Sequence, residues 1–147
     1  MEFFCVRARQ EVVESWGGGV RRQVIGQAEI APVVVSKLTW GDRLGGRLVI
    51  HFIDNDAVRA GLVKGYSPIL ASCAMVAEAN LEDVRLHAAS WYARVPSLSN
   101  VADWPSRFER ELLKQAYPGA VEVLRPRLPK WWGSGELPWL ACGSSRR

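Results

Sequence analysis

The run Arg47-Leu48-Val49-Ile50-His51-Phe52-Ile53-Asp54 constrains this chain more than any other stretch, because it is apolar almost without a break. A strand with one wet face alternates apolar and polar residues, whereas a strand covered on both faces has no need to. The run therefore predicts a central strand buried on both faces. Gly45-Gly46 turns the chain into it, and beyond it the apolar period changes. Asn55 to Lys64 puts Ala57, Val58, Gly61 and Leu62 at helical spacing and stops at Gly65, and Pro68 to about Glu82 reads as a second helix. Ala89 to Val95 then reads as a further strand. Strand, crossover helices and strand is the connection that parallel pairing needs, so the expected class is α/β or α+β.

On either side the signals are local. Glu2 to Arg9 is rich in β-formers and reads as a strand, and Gln10 to Ser15 as a short helical turn. Gly17-Gly18-Gly19 marks a loop before Val20 to Ile25. From Gln27 to Trp40 the residues Ile30, Val33, Val34, Leu38 and Trp40 fall mostly at helical spacing, and Pro32 is expected in the first turn or at a kink. Past Pro105, Phe108, Leu112 and Leu113 line a short closing helix that stops at Tyr117-Pro118-Gly119. With 147 residues, 48% of them hydrophobic, the chain supports one real core. We place one domain over residues 1–118 and an irregular tail over 119–147, where Pro126, Pro129 and Pro138 recur.

No apolar run reaches the length of a membrane span, and the first residues lack the pattern of a signal peptide, so the expected location is intracellular, cytoplasmic or nuclear, with no membrane partner. Cys5, Cys73 and Cys142 never pair at the spacing of a zinc site or a redox dithiol and are expected to be reduced. A net charge of +4 and a pI near 9.3 permit a polyanionic partner without requiring one.

Three acids invite chemistry. Asp54 ends the most apolar strand, which puts a carboxylate at the carboxyl edge of a sheet, where α/β proteins gather ligand-binding groups. Asp54 or Asn55 equally suits a helix cap, since both accept hydrogen bonds from the amides of a first turn. Glu29, in Gly26-Gln27-Ala28-Glu29-Ile30-Ala31-Pro32, is either a metal-binding acid or an exposed acid favoured by the helix dipole. Asp103, between a strand and a helix, is either a ligand or a turn residue. Taken singly, none of them carries a function.

Taken in order they do more. Phe52-Ile53-Asp54-Asn55-Asp56, followed by Val95-Pro96-Ser97-x-Ser99-Asn100-x-Ala102-Asp103-x-Pro105-Ser106-Arg107, resembles the ribonuclease H domain that follows the polymerase in many retroelement reverse transcriptases. The helix start Ile25-Gly26-Gln27-Ala28-Glu29 is similar to that family too, and the resemblance runs from Phe3 to Phe108. It implies a ribonuclease H-like mixed sheet flanked by helices, and two-metal hydrolysis of the RNA strand of RNA–DNA hybrids. By resemblance Glu29, Asp54 and Asp103 hold Mg2+ or Mn2+, with Asp103 on the second ion. Such hard ions take carboxylate oxygens, and two of them clamp both ends of an in-line displacement. Ser97, Ser99 and Asn100 suit a phosphate or a ribose hydroxyl, or ordinary turn chemistry. Asn55, Lys64, Arg94 and Arg107 are the expected contacts to the nucleic-acid backbone.

The sequence departs from that family at one place. The family's first acid lies on a strand that precedes the segment beginning at Glu2, and no Asp precedes Asp42. The resemblance thus implies a domain without its first strand and first acid, as a fragment of a longer protein with a reverse transcriptase polymerase or as a degenerate copy. Glu2 falls where the family has its second strand, away from the metals. A weakened carboxylate clamp implies weak or no activity for the isolated chain, and an open sheet edge implies self-association. The alternative is a nonenzymatic scaffold or an interaction module for nucleic acid or protein; a different nuclease or recombinase on the same fold comes third. His51 and His87 read as structural. Trp131 and Trp132, beside Arg125, Arg127 and Lys130, read as a sticky exposed tail.

Overall fold

The computed structural model describes residues 1–17 and 24–134. The expectations for Gly18, Gly19, Val20 to Gln23, Pro138 and Cys142 lie outside the described residues. In chain order the elements are β1 (Glu2–Phe3), α1 (Gln10–Trp16), α2 (Ile25–Leu44), β2 (Leu48–Ile53), α3 (Asp56–Lys64), α4 (Leu70–Leu86), β3 (Ala89–Arg94), a 3-10 turn (Ser97–Ser99), α5 (Asp103–Ser106), α6 (Arg110–Ala116), β4 (Val121–Glu122) and α7 (Trp131–Ser134). The fold is mixed α/β, with small sheets. No described helix is long and apolar enough to cross a membrane.

β2 and β3 run parallel, from Leu48 beside Ala89 to Ile53 beside Arg94. Helices α3 and α4 make the crossover between them. Local chemistry fixes α3 at both ends: the Asn55 side chain accepts from the Ala57 and Val58 amides at 3.0 and 3.1 Å, and Gly65 takes a left-handed φ of 69°. α2 packs along α4, and their approach is close at Gly41, where a Cβ would meet Leu86 Cδ2 at 3.0 Å. The core joins Ile30, Val33, Val34 and Val35 of α2 to Met75, Val76 and Ala79 of α4, closed by Ile53 and Tyr92 from the strands.

Five expectations are corrected. β2 is not buried on both faces: Val49, His51 and Ile53 turn toward the helices, while Leu48, Ile50 and Phe52 are 71%, 54% and 64% exposed, with Trp91 of β3 beside them at 66%. Its continuous apolar pattern records side-chain character on both faces, but helices cover only one. A single mixed sheet is absent among the described residues, which hold two separate parallel pairs, β2 with β3 and β1 with β4. The N-terminal strand is only Glu2–Phe3, because β4 offers just two residues to pair with; beyond it Phe4, Val6 and Ala8 pack against the core without a ladder.

Pro32 neither starts nor kinks α2. It lies well inside the helix, with its ring in solvent, and Ala28, whose carbonyl it leaves without an amide, is exposed too, so water takes that carbonyl. The non-helical residue is Trp40 (φ −107°, ψ 16°). Trp131 and Trp132, expected exposed, are buried: their rings meet Trp16 of α1 edge-on at 6.1 and 6.2 Å, and the Trp131 indole N–H donates to Glu78. Residues 119–130 are irregular apart from β4.

Candidate active site

Parallel pairing brings three distant stretches of chain to one end of the sheet. β2 ends at Ile53, so Asp54 emerges at its carboxyl end, and β3 delivers the Pro96–Asp103 loop to the same end, where the Val95 amide donates to the Ile53 carbonyl at 3.1 Å. Glu29, in the second turn of α2, arrives from the helix layer.

Two asparagines connect these acids. Asn100 Nδ2 donates to Asp54 Oδ2 at 3.2 Å and to Asp103 Oδ1 at 3.3 Å, while its Oδ1 accepts from the Ala102 amide. Asn55, besides capping α3, donates from Nδ2 to Glu29 Oε1 at 3.4 Å. The structure thus brings Glu29, Asp54, Asp103, Asn55 and Asn100 together, with all five side chains half-buried.

The electrostatics here are adverse. Burial pushes the Glu29 carboxyl above its ordinary range, the charges of Asp54 and Asp103 push the same way, and the Asn55 contact offsets part of the shift. Glu29 Oε2 is buried with no hydrogen-bond partner. An acceptor left without a donor beside two further carboxylates is an arrangement that a cation relieves. Among the described residues no three His, Cys, Asp or Glu side chains are gathered closely enough to hold a metal ion as they stand.

Around this centre, Arg107 Nη2 lies 3.4 Å from Asp103 Oδ2, and Arg94 Nε lies 3.4 Å from Asp56 Oδ1. Ser97 and Ser99 sit exposed on the 3-10 turn before Asn100. Lys64 is exposed at the opposite end of α3, about 13 Å of helix away, and does not join the group. The histidines stay away as well: His51 stacks on Tyr92 at 5.3 Å, and His87 ends α4 with φ 50°. Cys5 and Cys73 are free thiols. The acids line neither the hollow of about 440 Å³ between α3, α4 and β3 nor the one of about 400 Å³ beside Trp40.

Sequence reasoning treated Asn100 as a phosphate contact and missed its part as the bridge between two acids. The signal was present in Asn100-x-x-Asp103, a spacing that lets an Asn close a turn onto the residue before a short helix. No family model, curated protein or solved structure matches this chain.

Proposed function

We propose that this chain is a ribonuclease H-like nuclease domain of the retroelement reverse transcriptase type, which binds RNA–DNA hybrids and hydrolyses the RNA strand with Mg2+ or Mn2+. The observation that carries the reading is the meeting of Glu29, Asp54 and Asp103, from three separated stretches, around an unpartnered Glu29 Oε2. Asn55, Asn100 and Arg107 offset part of the repulsion but leave Glu29 Oε2 without a donor, and a metal-binding role gives that atom a partner.

Glu29, Asp54 and Asp103 would hold the ions, which when bound supply an activated water and neutralise charge on the leaving oxygen. The chain's own part is positioning. Asn100 fixes the spacing of Asp54 and Asp103, Asn55 orients Glu29, and Arg107 offers a cation beside Asp103 for a phosphate.

The test is cleavage of a labelled RNA–DNA hybrid with Mg2+ or Mn2+, run beside Asp54→Asn. With the family's first acid missing, weak cleavage of the RNA strand that the substitution abolishes is the expected result. Hybrid binding without metal-dependent cleavage supports the nonenzymatic alternative instead, and absence of both overturns the reading.

A further inference from the structure

Phe108 has a conformation that its residue type does not explain. Its φ is +63°, a left-handed value that bulky L-residues rarely adopt, and such outliers gather where a side chain must be aimed. The ring is not needed by the core, since Phe108 is 40% exposed. It is instead set between two guanidinium groups, Arg7 Cζ at 4.9 Å from the ring centroid and Arg110 Cζ at 5.8 Å.

Independent contacts hold this group beside the carboxylates. The Cys5 thiol donates to the Pro105 carbonyl at 2.7 Å and ties the N-terminal segment to α5, which begins at Asp103. Arg110 is braced by Glu122 of β4 at 3.0 Å, and Arg107, next to Phe108 in the chain, pairs with Asp103. Arg7 is exposed and makes no ion pair among the described residues. An exposed ring flanked by guanidiniums is what single nucleic-acid strands use: cations for phosphates, and a flat apolar face for a base or sugar.

We propose that Arg7, Phe108 and Arg110 form a rim that grips a single nucleic-acid strand running out of the hybrid beside the carboxylates, with Arg7 on a backbone phosphate and Phe108 under an unpaired base. This rests on the nuclease reading above and adds to it the path of the substrate. The grip is independent of sequence, because phosphates and ring faces are common to every nucleotide.

Anisotropy of a short labelled RNA–DNA hybrid with a single-stranded overhang, titrated at several salt concentrations, tests it. Phe108→Gly removes the ring and relieves the positive φ, so its Tm is expected to hold or rise while the Kd increases roughly 5- to 150-fold, the loss of one stacked contact. Arg7→Ala is expected to lower the log–log salt slope by about one phosphate contact, and Arg7→Lys to restore it. Because Arg7 is exposed, that arm stands even if Phe108→Gly does not fold. Wild-type binding with both variants unchanged overturns the rim and leaves the nuclease reading intact; failure of the wild type to bind the hybrid overturns both.

Discussion

Glu29 is held where its charge is unwelcome, and the sign of that effect can be measured. Its carboxyl is raised above the ordinary 4.5, first by burial and then by Asp54 and Asp103. An acid with a raised folded-state pKa binds protons more readily folded than unfolded, so stability falls as pH climbs from the unfolded value through the raised folded one and is level above it. Near neutral pH the ionised side chain therefore weakens the fold. Glu29→Gln keeps the shape and removes the charge; we expect it to raise Tm at pH 7, with the gain shrinking as pH falls toward 4.5 and gone below it, and to lose metal-dependent cleavage. An unchanged Tm would mean that the three acids do not strain one another. Asn100→Ala is expected to cut the hybrid-cleavage rate by about 10- to 100-fold, the usual effect of losing a partner that orients metal-binding groups. His51 has the opposite linkage. Burial, helped by Lys37, lowers it from 6.5 to about 4, so its contribution is whole above pH 6.5 and is lost as pH falls toward 4. That window holds about 3 kcal/mol at most. His51→Phe keeps the stack on Tyr92, and its urea midpoint is expected to fall less than the wild type's between pH 7 and pH 4.

Among the elements, those with local punctuation were readable. α3 announces itself through Asn55 and Gly65, and the order β2, α3, α4, β3 follows from a change of apolar period, as the parallel ladder bears out. What no local pattern records is which face a neighbour covers. The run Leu48 to Phe52 is apolar on both sides, yet helices lie against one side only; Pro32 looked like a helix breaker until Ala28 proved to be solvated; and Trp131 looked like a loose tail because its partner, Trp16, is far away in sequence. The site was legible in the same partial way. Glu29, Asp54 and Asp103 each had an ordinary reading as cap, turn or helix-start acid, and only the register of β2 on β3 together with the packing of α2 brings them to one place. The exposed face gives a direct prediction for β2. A Phe buried on both sides loses about 3–5 kcal/mol on truncation, whereas Phe52→Lys, at a position 64% exposed, is expected to change stability by no more than about 0.5 kcal/mol. A loss of several kcal/mol in urea titration would show that something covers this face.

The molecule as a whole turns on one buried cation. Lys37, 1% exposed, projects from α2 and reaches Asp83 at 2.7 Å and the Ala79 carbonyl at 3.0 Å, both on α4, together with the Tyr92 hydroxyl of β3 at 3.3 Å. It therefore links the two long helices to the strand that carries the Asn100 loop, and Asp83 extends the link by accepting from Ser90 at 2.9 Å. Breaking a fully buried pair costs about 3–5 kcal/mol; here loss of Lys37 empties a buried site and leaves Asp83 half-buried with Ser90 as its remaining donor. Native domains hold only about 5–15 kcal/mol in total. Lys37→Ala is thus expected to destabilise the chain severely in urea. Lys37→Met combined with Asp83→Leu removes both charges and keeps apolar volume, so it is expected to recover most of that loss, as replaced buried pairs often do. The same comparison separates stability from alignment. Glu29 and Lys37 share α2, about two turns apart, so a change in how that helix sits on α4 carries the carboxylate with it. If the double variant regains stability but not hybrid cleavage, the ion pair sets the tilt of α2; if it regains both, packing alone is enough to hold Glu29 beside Asp54.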